Sequence, residues 1–204
     1  MTRILIIRHG ETSSSRLGQF TGREDVQLTE KGRSQARQWS GQLGEFVAAS
    51  ATEGTFFSSP LHRCRETAQL AIGSEARSCE DLIEWDLGTL HGVSADDFRR
   101  DHPNWNLFSD GPPDGSGESP VDIRMRASRV LERLRESRGD VVLFTHGQFA
   151  KVLIAFMLGL PQATASRFAL GPARGALVME RTSGLSLAGW NLAPNADGLW
   201  KALT

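Results

Sequence analysis

The stretch ILIIRHGET, residues 4–12, decides how this sequence is read. Ile4 to Ile7 form a continuous apolar run, the mark of a short strand covered on both faces of a sheet. The run ends in Arg8, His9 and Gly10. A buried strand therefore carries two side chains capable of positive charge to its carboxyl end. The same ending recurs in VVLFTHG, residues 141–147, where the apolar run Val141–Phe144 leads to His146 and Gly147. Glycine after each histidine permits a tight turn and close approach of a ligand.

Helical patterns alternate with such strands along the chain. Thr29 reads as an N-cap, and Ala36, Trp39, Leu43 and Phe46 follow at roughly helical spacing. TFFSSP, residues 55–60, predicts a strand. Its Ser59–Pro60 predicts a helix start, with the hydroxyl as cap and proline in the first turn. Leu61, Ala68 and Ile72 then fall on the buried face of that helix. Residues 88–118, rich in Gly, Pro, Asp, Asn and Trp, predict a long irregular excursion over one end of the sheet. SPVD, residues 119–122, carries a capping-box pattern, and Ile123, Ala127, Val130, Leu131 and Leu134 mark the stripe behind it. Gly147 opens a helix to about Leu158. ALVMER (176–181) and LSLAGW (185–190) predict a late hairpin around Ser183–Gly184. Alternation of this kind predicts an α/β fold with a mainly parallel sheet, in one domain over residues 1–204. Ligands of such sheets bind beyond the carboxyl ends of the strands, where Arg8, His9 and His146 all fall.

The composition narrows the function classes. A chain of 204 residues, 39% hydrophobic, is long enough to bury a core. Lys and Arg number 23 against 24 Asp and Glu, a net charge of −1. That balance offers no basic surplus for nucleic acid. Cys64 and Cys79 make neither a disulfide framework nor a zinc site. The chain enters its first strand without a secretory signal pattern, and its longest apolar run, Val152–Leu158, is too short to span a bilayer. The expectation is a soluble, cytoplasmic protein with no membrane or nucleic-acid partner. Composition does not address its oligomeric state.

One histidine after a strand is more often structural than catalytic, but two, each followed by glycine, favour chemistry. Arg8 alone reads as a surface residue, and so does Arg63. Yet Arg63 falls in the first turn of the helix after Ser59, where a cation opposes the helix dipole. An anion bound at that end reverses the argument. Two arginines, two histidines and helix N-termini at strand ends describe a phosphate pocket, since guanidinium groups bind phosphoryl oxygens bidentately. The arginines would repel a divalent metal, and no HExxH or carboxylate cluster is present. There is no glycine-rich dinucleotide or P-loop motif. Serine and cysteine candidates lack a base partner, whereas histidine can itself attack phosphorus. The leaving oxygen then needs a proton donor. DLIEWDLGTLHG, residues 81–92, supplies Glu84 and Asp86, and spacing alone does not choose between them.

Taken in order, RHGET (8–12), FTGREDVQLTEKGRSQA (20–36), SSPLHRCRETA (58–68), LIEWDLGTLHG (82–92), DGSGES (114–119) and THG (145–147) resemble the histidine phosphatase superfamily. This is the phosphoglycerate mutase-like fold, a three-layer sandwich with helices on both faces of the sheet. The resemblance covers nearly the whole chain. It implies that His9 is the phosphorylated nucleophile and that Arg8, Arg63 and His146 bind the transferring phosphoryl group. It also implies Glu84 as proton donor and then base, which selects Glu84 over Asp86 by analogy. Thr21, Gly22 and the backbone at Gln148 would lie near the substrate, a small phosphorylated metabolite, with no metal or nucleotide cofactor.

The sequence departs from the family at Ser15, where many members carry Asn. Serine can still hydrogen-bond phosphate, with shorter reach. The chain also lacks much of the substrate-covering insertion of the mutases, and Arg99–Arg100 only loosely match an arginine pair found there. The segments at 15–22, 84–88, 106–119 and 189–191 resemble the fungal sedoheptulose-bisphosphatase branch and its bacterial relatives. That implies phosphatase activity on a sugar phosphate or bisphosphate; the alternative is a phosphoglycerate mutase using the same residues. A regulatory module that has lost catalysis is disfavoured, because the full residue set is present. Specificity is expected from residues 13–23 and 93–118, where Trp105, Asn106 and Phe108 either wall the pocket or pack a local cap. A proton donor beside a phosphoryl dianion implies a mildly acidic optimum.

Overall fold

Alternate residues of the first strand, β1 (Arg3–Arg8), bury into opposite sides of one sheet. Ile4 and Ile6 join one apolar cluster and Leu5 and Ile7 the other, which is why this stretch shows no polar alternation. The computed structural model describes residues 3–48, 55–137 and 139–194. After β1 come α1 (Ser13–Arg16), α2 (Glu30–Arg37), α3 (Trp39–Ala48), β2 (Thr55–Ser58), α4 (His62–Ile72) and β3 (Arg77–Ser78). Then follow α5 (Ala95–Asp101), α6 (Leu107–Asp110), α7 (Pro120–Glu136), β4 (Val141–Thr145), α8 (Gly147–Met157), β5 (Gly175–Arg181) and β6 (Gly184–Leu192). The sheet order is β3-β2-β4-β1-β5-β6. The β3–β2, β2–β4 and β4–β1 pairs are parallel, while β5 runs antiparallel to β1 and β6.

Each face of the sheet has its own helical layer. Ile123, Ala127 and Val130 of α7 and Phe149, Val152 and Leu153 of α8 cover the side carrying Ile4, Ile6, Val141 and Leu143. Trp39, Leu43 and Phe46 of α3 with Ala68 and Ala71 of α4 cover Leu5, Ile7, Val142 and Phe144. Each fully buried Leu, Ile or Phe contributes about 1.5–3 kcal/mol by leaving water. The three-layer α/β architecture expected from the sequence is the one observed, with a mixed sheet that is parallel through β3, β2, β4 and β1.

Two of the three expected caps are found. Thr29 accepts from the Gly32 N–H, and Ser119 forms a capping box with Asp122, followed by Pro120. The third is corrected. Helix α4 begins at His62, its N-cap is Leu61, and no side chain caps it. The Ser59 hydroxyl instead meets His146 Nε2 at 2.7 Å, with the Leu61 N–H at 3.3 Å. The early helix start was also expected to bury Leu61 and Ile72. Ala68 is buried, but those two are only half-buried. Residues 88–118 are more ordered than expected: Ser94 caps α5 and Asn106 caps α6. There Trp105 packs edge-on against Phe98 and Phe20, and its Nε1–H donates to the Gly111 carbonyl. Trp105 and Phe108 thus belong to a packed cap, and both, with Asn106, also line a cavity beside it.

The amino end of the sheet is locked by a buried ion pair. The Asp140 carboxylate accepts the Arg3 backbone N–H and Nε–H, each at 3.0 Å, and Arg3 Nη2 also donates to the Phe46 carbonyl at 2.8 Å. Both residues are buried. Removing one partner strands the other charge away from water, which costs about 3–5 kcal/mol. Asp140→Ala is expected to lose that much in urea unfolding; a loss below about 1 kcal/mol would show that the pair is dispensable.

Candidate active site

Strands β1 and β4 are paired in register from Ile4–Val141 to Arg8–Thr145, so the residues that follow them emerge side by side. His9 and His146 face each other there with ring centroids 5.3 Å apart and planes at 61°. The His9 backbone is held on both sides: its N–H donates to the Thr145 carbonyl, and its carbonyl accepts from Ala173 N–H. Ala173 takes a left-handed φ of 50°, an uncommon conformation for a non-glycine residue.

The His9 ring has one tautomer consistent with its contacts. Nδ1 lies 2.8 Å from the Gly10 carbonyl, which can only accept, so Nδ1 carries the proton. Nε2 is left with a free lone pair and no hydrogen-bond partner among the described residues. Only 5% of His9 is exposed. Burial, then the Arg63 and Arg8 charges, hold its pKa well below the ordinary histidine range. The imidazole is therefore neutral at neutral pH, with its Nε2 lone pair unprotonated.

Arg63 is buried and Arg8 half-buried, and neither guanidinium has a counterion among the described residues. Arg8 Nη1 donates to the Leu170 carbonyl at 2.6 Å, while its buried Nε has no partner. Arg63, 1% exposed, is held by the Gly22 carbonyl at 2.7 Å and by the Glu24 carbonyl. Its Nε–H donates to His146 Nδ1 at 3.1 Å. No carboxylate lies within ion-pair distance of either guanidinium among the described residues. Burial pulls both pKa values down. Holding two charges in this way is costly unless an anion joins them.

Glycines set the spacing here. A Cβ on Gly147 would come within 3.2 Å of Arg8 Nε, so this glycine leaves room for the guanidinium. Gly10 has a different task from the one the sequence suggested. A Cβ there would lie 2.4 Å from the Gly32 carbonyl, so Gly10 is needed for packing against the first turn of α2 rather than for ligand approach.

The structure separates the two acidic candidates. Glu84 is buried, and its carboxylate accepts three backbone N–H groups: Trp85 and Phe149 at 2.9 Å each and Gln148 at 3.1 Å. Asp86 turns outward to accept from Gly88 N–H and to approach Arg23 and His91. A brace that the sequence reading missed holds the Glu84 segment. Buried Arg126 of α7 donates to the carbonyls of Asp81, Ile83 and Glu84 and is clamped by both Glu118 oxygens at 2.8 and 2.7 Å. Its signal was an arginine lying on the apolar stripe of α7.

Eight expected residues, Arg8, His9, Ser15, Thr21, Gly22, Arg63, Glu84 and Gln148, line one cavity of about 220 Å³. His146 does not. It sits fully buried behind Arg63, with Nδ1 accepting from that arginine and Nε2–H donating to Ser59. Burial and the Arg63 charge keep it neutral. Ser15 has a local commitment, because its hydroxyl donates to the Thr12 carbonyl at 3.0 Å and accepts from Thr12 N–H at 2.9 Å. The Gly22 carbonyl anchors Arg63, and the Gln148 N–H serves Glu84, so both act on the machinery as well as facing the cavity. One charged lining residue, Lys151, was missed; it is the single charged residue in the apolar helix α8. The described residues contain no group of three His, Cys, Asp or Glu able to hold a metal ion.

A free imidazole nitrogen beside two uncompensated guanidiniums, with a carboxyl group on the same cavity, suits transfer of a phosphoryl group. Residues 4–193 match the family model for the histidine phosphatase superfamily, branch 1.

The chain belongs to the histidine phosphatase superfamily.

Members similar to it include an acid phosphatase of Mycobacterium tuberculosis, 34% identical over 168 residues that cover 82% of this chain and 81% of the relative. The sedoheptulose 1,7-bisphosphatase of Saccharomyces cerevisiae is 28% identical over 188 residues, covering 78% of this chain and 68% of the yeast protein. A solved structure of a Mycobacterium tuberculosis open reading frame product superposes with a TM-score of 0.87 at 33% identity, covering 95% of this chain and 99% of that one. Phosphatases thus stand among the superfamily members that resemble this chain. No described helix is long and apolar enough to cross a membrane.

Proposed function

We propose that this histidine phosphatase is a metal-independent phosphomonoesterase for a small sugar phosphate or bisphosphate, working through a phosphohistidine at His9. The observation that carries this reading is the His9 imidazole: proton tied to Gly10, Nε2 free, flanked by Arg8 and Arg63 with no carboxylate paired to either. In the first half-reaction the Nε2 lone pair attacks phosphorus in line. The ester P–O bond breaks, and the leaving oxygen takes a proton from Glu84. The two guanidiniums stabilise charge on the transferring oxygens. The Nδ1–H bond to Gly10 stabilises the positive charge left on the phosphorylated ring. Glu84 emerges as a carboxylate, the state suited to the three N–H groups of Trp85, Gln148 and Phe149. It then takes a proton from water, whose oxygen attacks phosphorus, and the P–N bond breaks to release phosphate. His146 holds Arg63 and packs against His9.

The direct test is phosphate release from a panel of phosphorylated metabolites, with and without EDTA. Release that EDTA leaves intact supports the proposal, whereas loss in EDTA restored by a divalent metal would overturn it. Offering 3-phosphoglycerate with a bisphosphate primer separates hydrolysis from mutase action, since a mutase accumulates 2-phosphoglycerate with little free phosphate.

The pH dependence follows from the site. The pKa of His9 lies well below the ordinary histidine range, so the nucleophile stays unprotonated as pH falls through 6.5. Glu84 needs its proton for the first half-reaction. A mildly acidic optimum for kcat is expected, measured on an alkyl phosphate. An optimum well above neutral would argue against Glu84 as proton donor.

A further inference from the structure

A second cavity, about 530 Å³, adjoins the first and shares Gln148 and Lys151 with it. Three cations line it, Arg99, Lys151 and Arg167, and no carboxylate does. Lys151 and Arg167 have no ion pair or hydrogen bond among the described residues. Arg99 reaches only Asp96 of its own helix, at 3.5 Å, and lies 5.9 Å from the ring of Phe20, a residue of the first cavity. The Gln148 Oε1 is buried without a partner at the boundary of the two.

The charges do not balance with one phosphate. A phosphoryl dianion in the first cavity is matched by Arg8 and Arg63, which leaves Lys151 and Arg167 without a partner and Arg99 with only the Asp96 contact of its own helix. Lys151 is also placed at a cost. It projects from an otherwise apolar helix, its Nζ lies 5.9 Å from the Phe108 ring, and burial with the Arg8 charge brings its pKa down to about 8. It still carries its proton at neutral pH. A second anion would relieve this arrangement.

We infer that the cavity bounded by Lys151, Arg167 and Arg99 is a second anion subsite, which selects substrates bearing another phosphate or carboxylate beyond the ester that His9 attacks. The inference rests on the phosphatase reading and narrows its substrate class. Gln148, shared by both cavities, would take a hydroxyl of the body that joins the two anionic groups.

The test compares kcat/KM for pairs differing in one anionic group: fructose 1,6-bisphosphate against fructose 6-phosphate, and 3-phosphoglycerate against glycerol 3-phosphate. The wild-type protein is expected to favour the doubly anionic member of at least one pair by about tenfold or more, the size of a charge-assisted contact. The favoured pair tells whether the subsite prefers phosphate or carboxylate. Arg167→Met and Lys151→Met should each bring that ratio towards unity. Arg167 is exposed, so its replacement does not threaten folding. Ratios near unity in the wild type, or ratios unchanged in both variants, would overturn the inference. Calorimetric binding of the same pairs to His9→Ala protein needs no turnover. Preferential binding without phosphate release by the wild type would sink the phosphatase reading and leave the subsite standing. Release without preference would do the reverse.

Discussion

His9→Ala is expected to lose phosphate release by a factor on the order of 10⁶, the size of effect seen when a covalent nucleophile is removed. No neighbour can take over the attack. Burial pushes the Cys64 thiol far above the range in which it ionises, and its Sγ is directed to the Thr145 carbonyl. The Ser59 hydroxyl is held by His146 and the Ser15 hydroxyl by the Thr12 backbone. The variant should still fold, because the sheet beneath it is packed by Ile4 to Ile7 and the truncation removes a ring crowded by two cations. Phosphate release assayed beside a thermal melt separates the two effects. A folded His9→Ala protein with ordinary turnover would refute the proposed chemistry.

Glu84→Gln is expected to reduce turnover of alkyl phosphates by about 10²–10⁴-fold, the usual contribution of a positioned acid or base. The loss should depend on the leaving group. An alkoxide needs the Glu84 proton, whereas the nitrophenolate of p-nitrophenyl phosphate departs with little help. With that ester the first half-reaction should persist and the second, which needs a base for water, should stall. Phosphorylated protein would then accumulate. The glutamine amide keeps one acceptor for Trp85 and Phe149 but sets an N–H against the Gln148 N–H, so a small loss of stability should accompany the change. Equal losses on both esters, with no accumulation, would place Glu84 outside proton transfer.

Much of this was legible in the sequence because the physics was local. Ile4–Ile7 and Val141–Phe144 have no polar alternation, so they had to be covered on both faces, and the residues after them had to emerge at the carboxyl edge. Neighbours on a strand point to opposite faces, which left open how Arg8 and His9 could share a pocket. They do so because β1 ends at Arg8 and the cavity straddles the sheet edge there. What escaped was long-range. Ser59 looked like a helix cap, but its hydroxyl partner is His146, 87 residues away. Arg126 was not singled out, yet it buries to clamp Glu118 and the backbone beneath Glu84. Gly10 looked as if it made room for substrate, whereas it makes room for Gly32. Each of these depends on a partner that only the folded chain supplies.

The central claim is that phosphorus becomes bonded to His9 Nε2, the nitrogen left free by the Gly10 contact. Mixing the protein with a ³²P-labelled substrate and quenching within milliseconds tests it most directly. The label should stay with the protein through base and be released by acid, map to the peptide containing His9, and be absent from His146. Label on any other residue, or no labelled protein during active turnover, would contradict it.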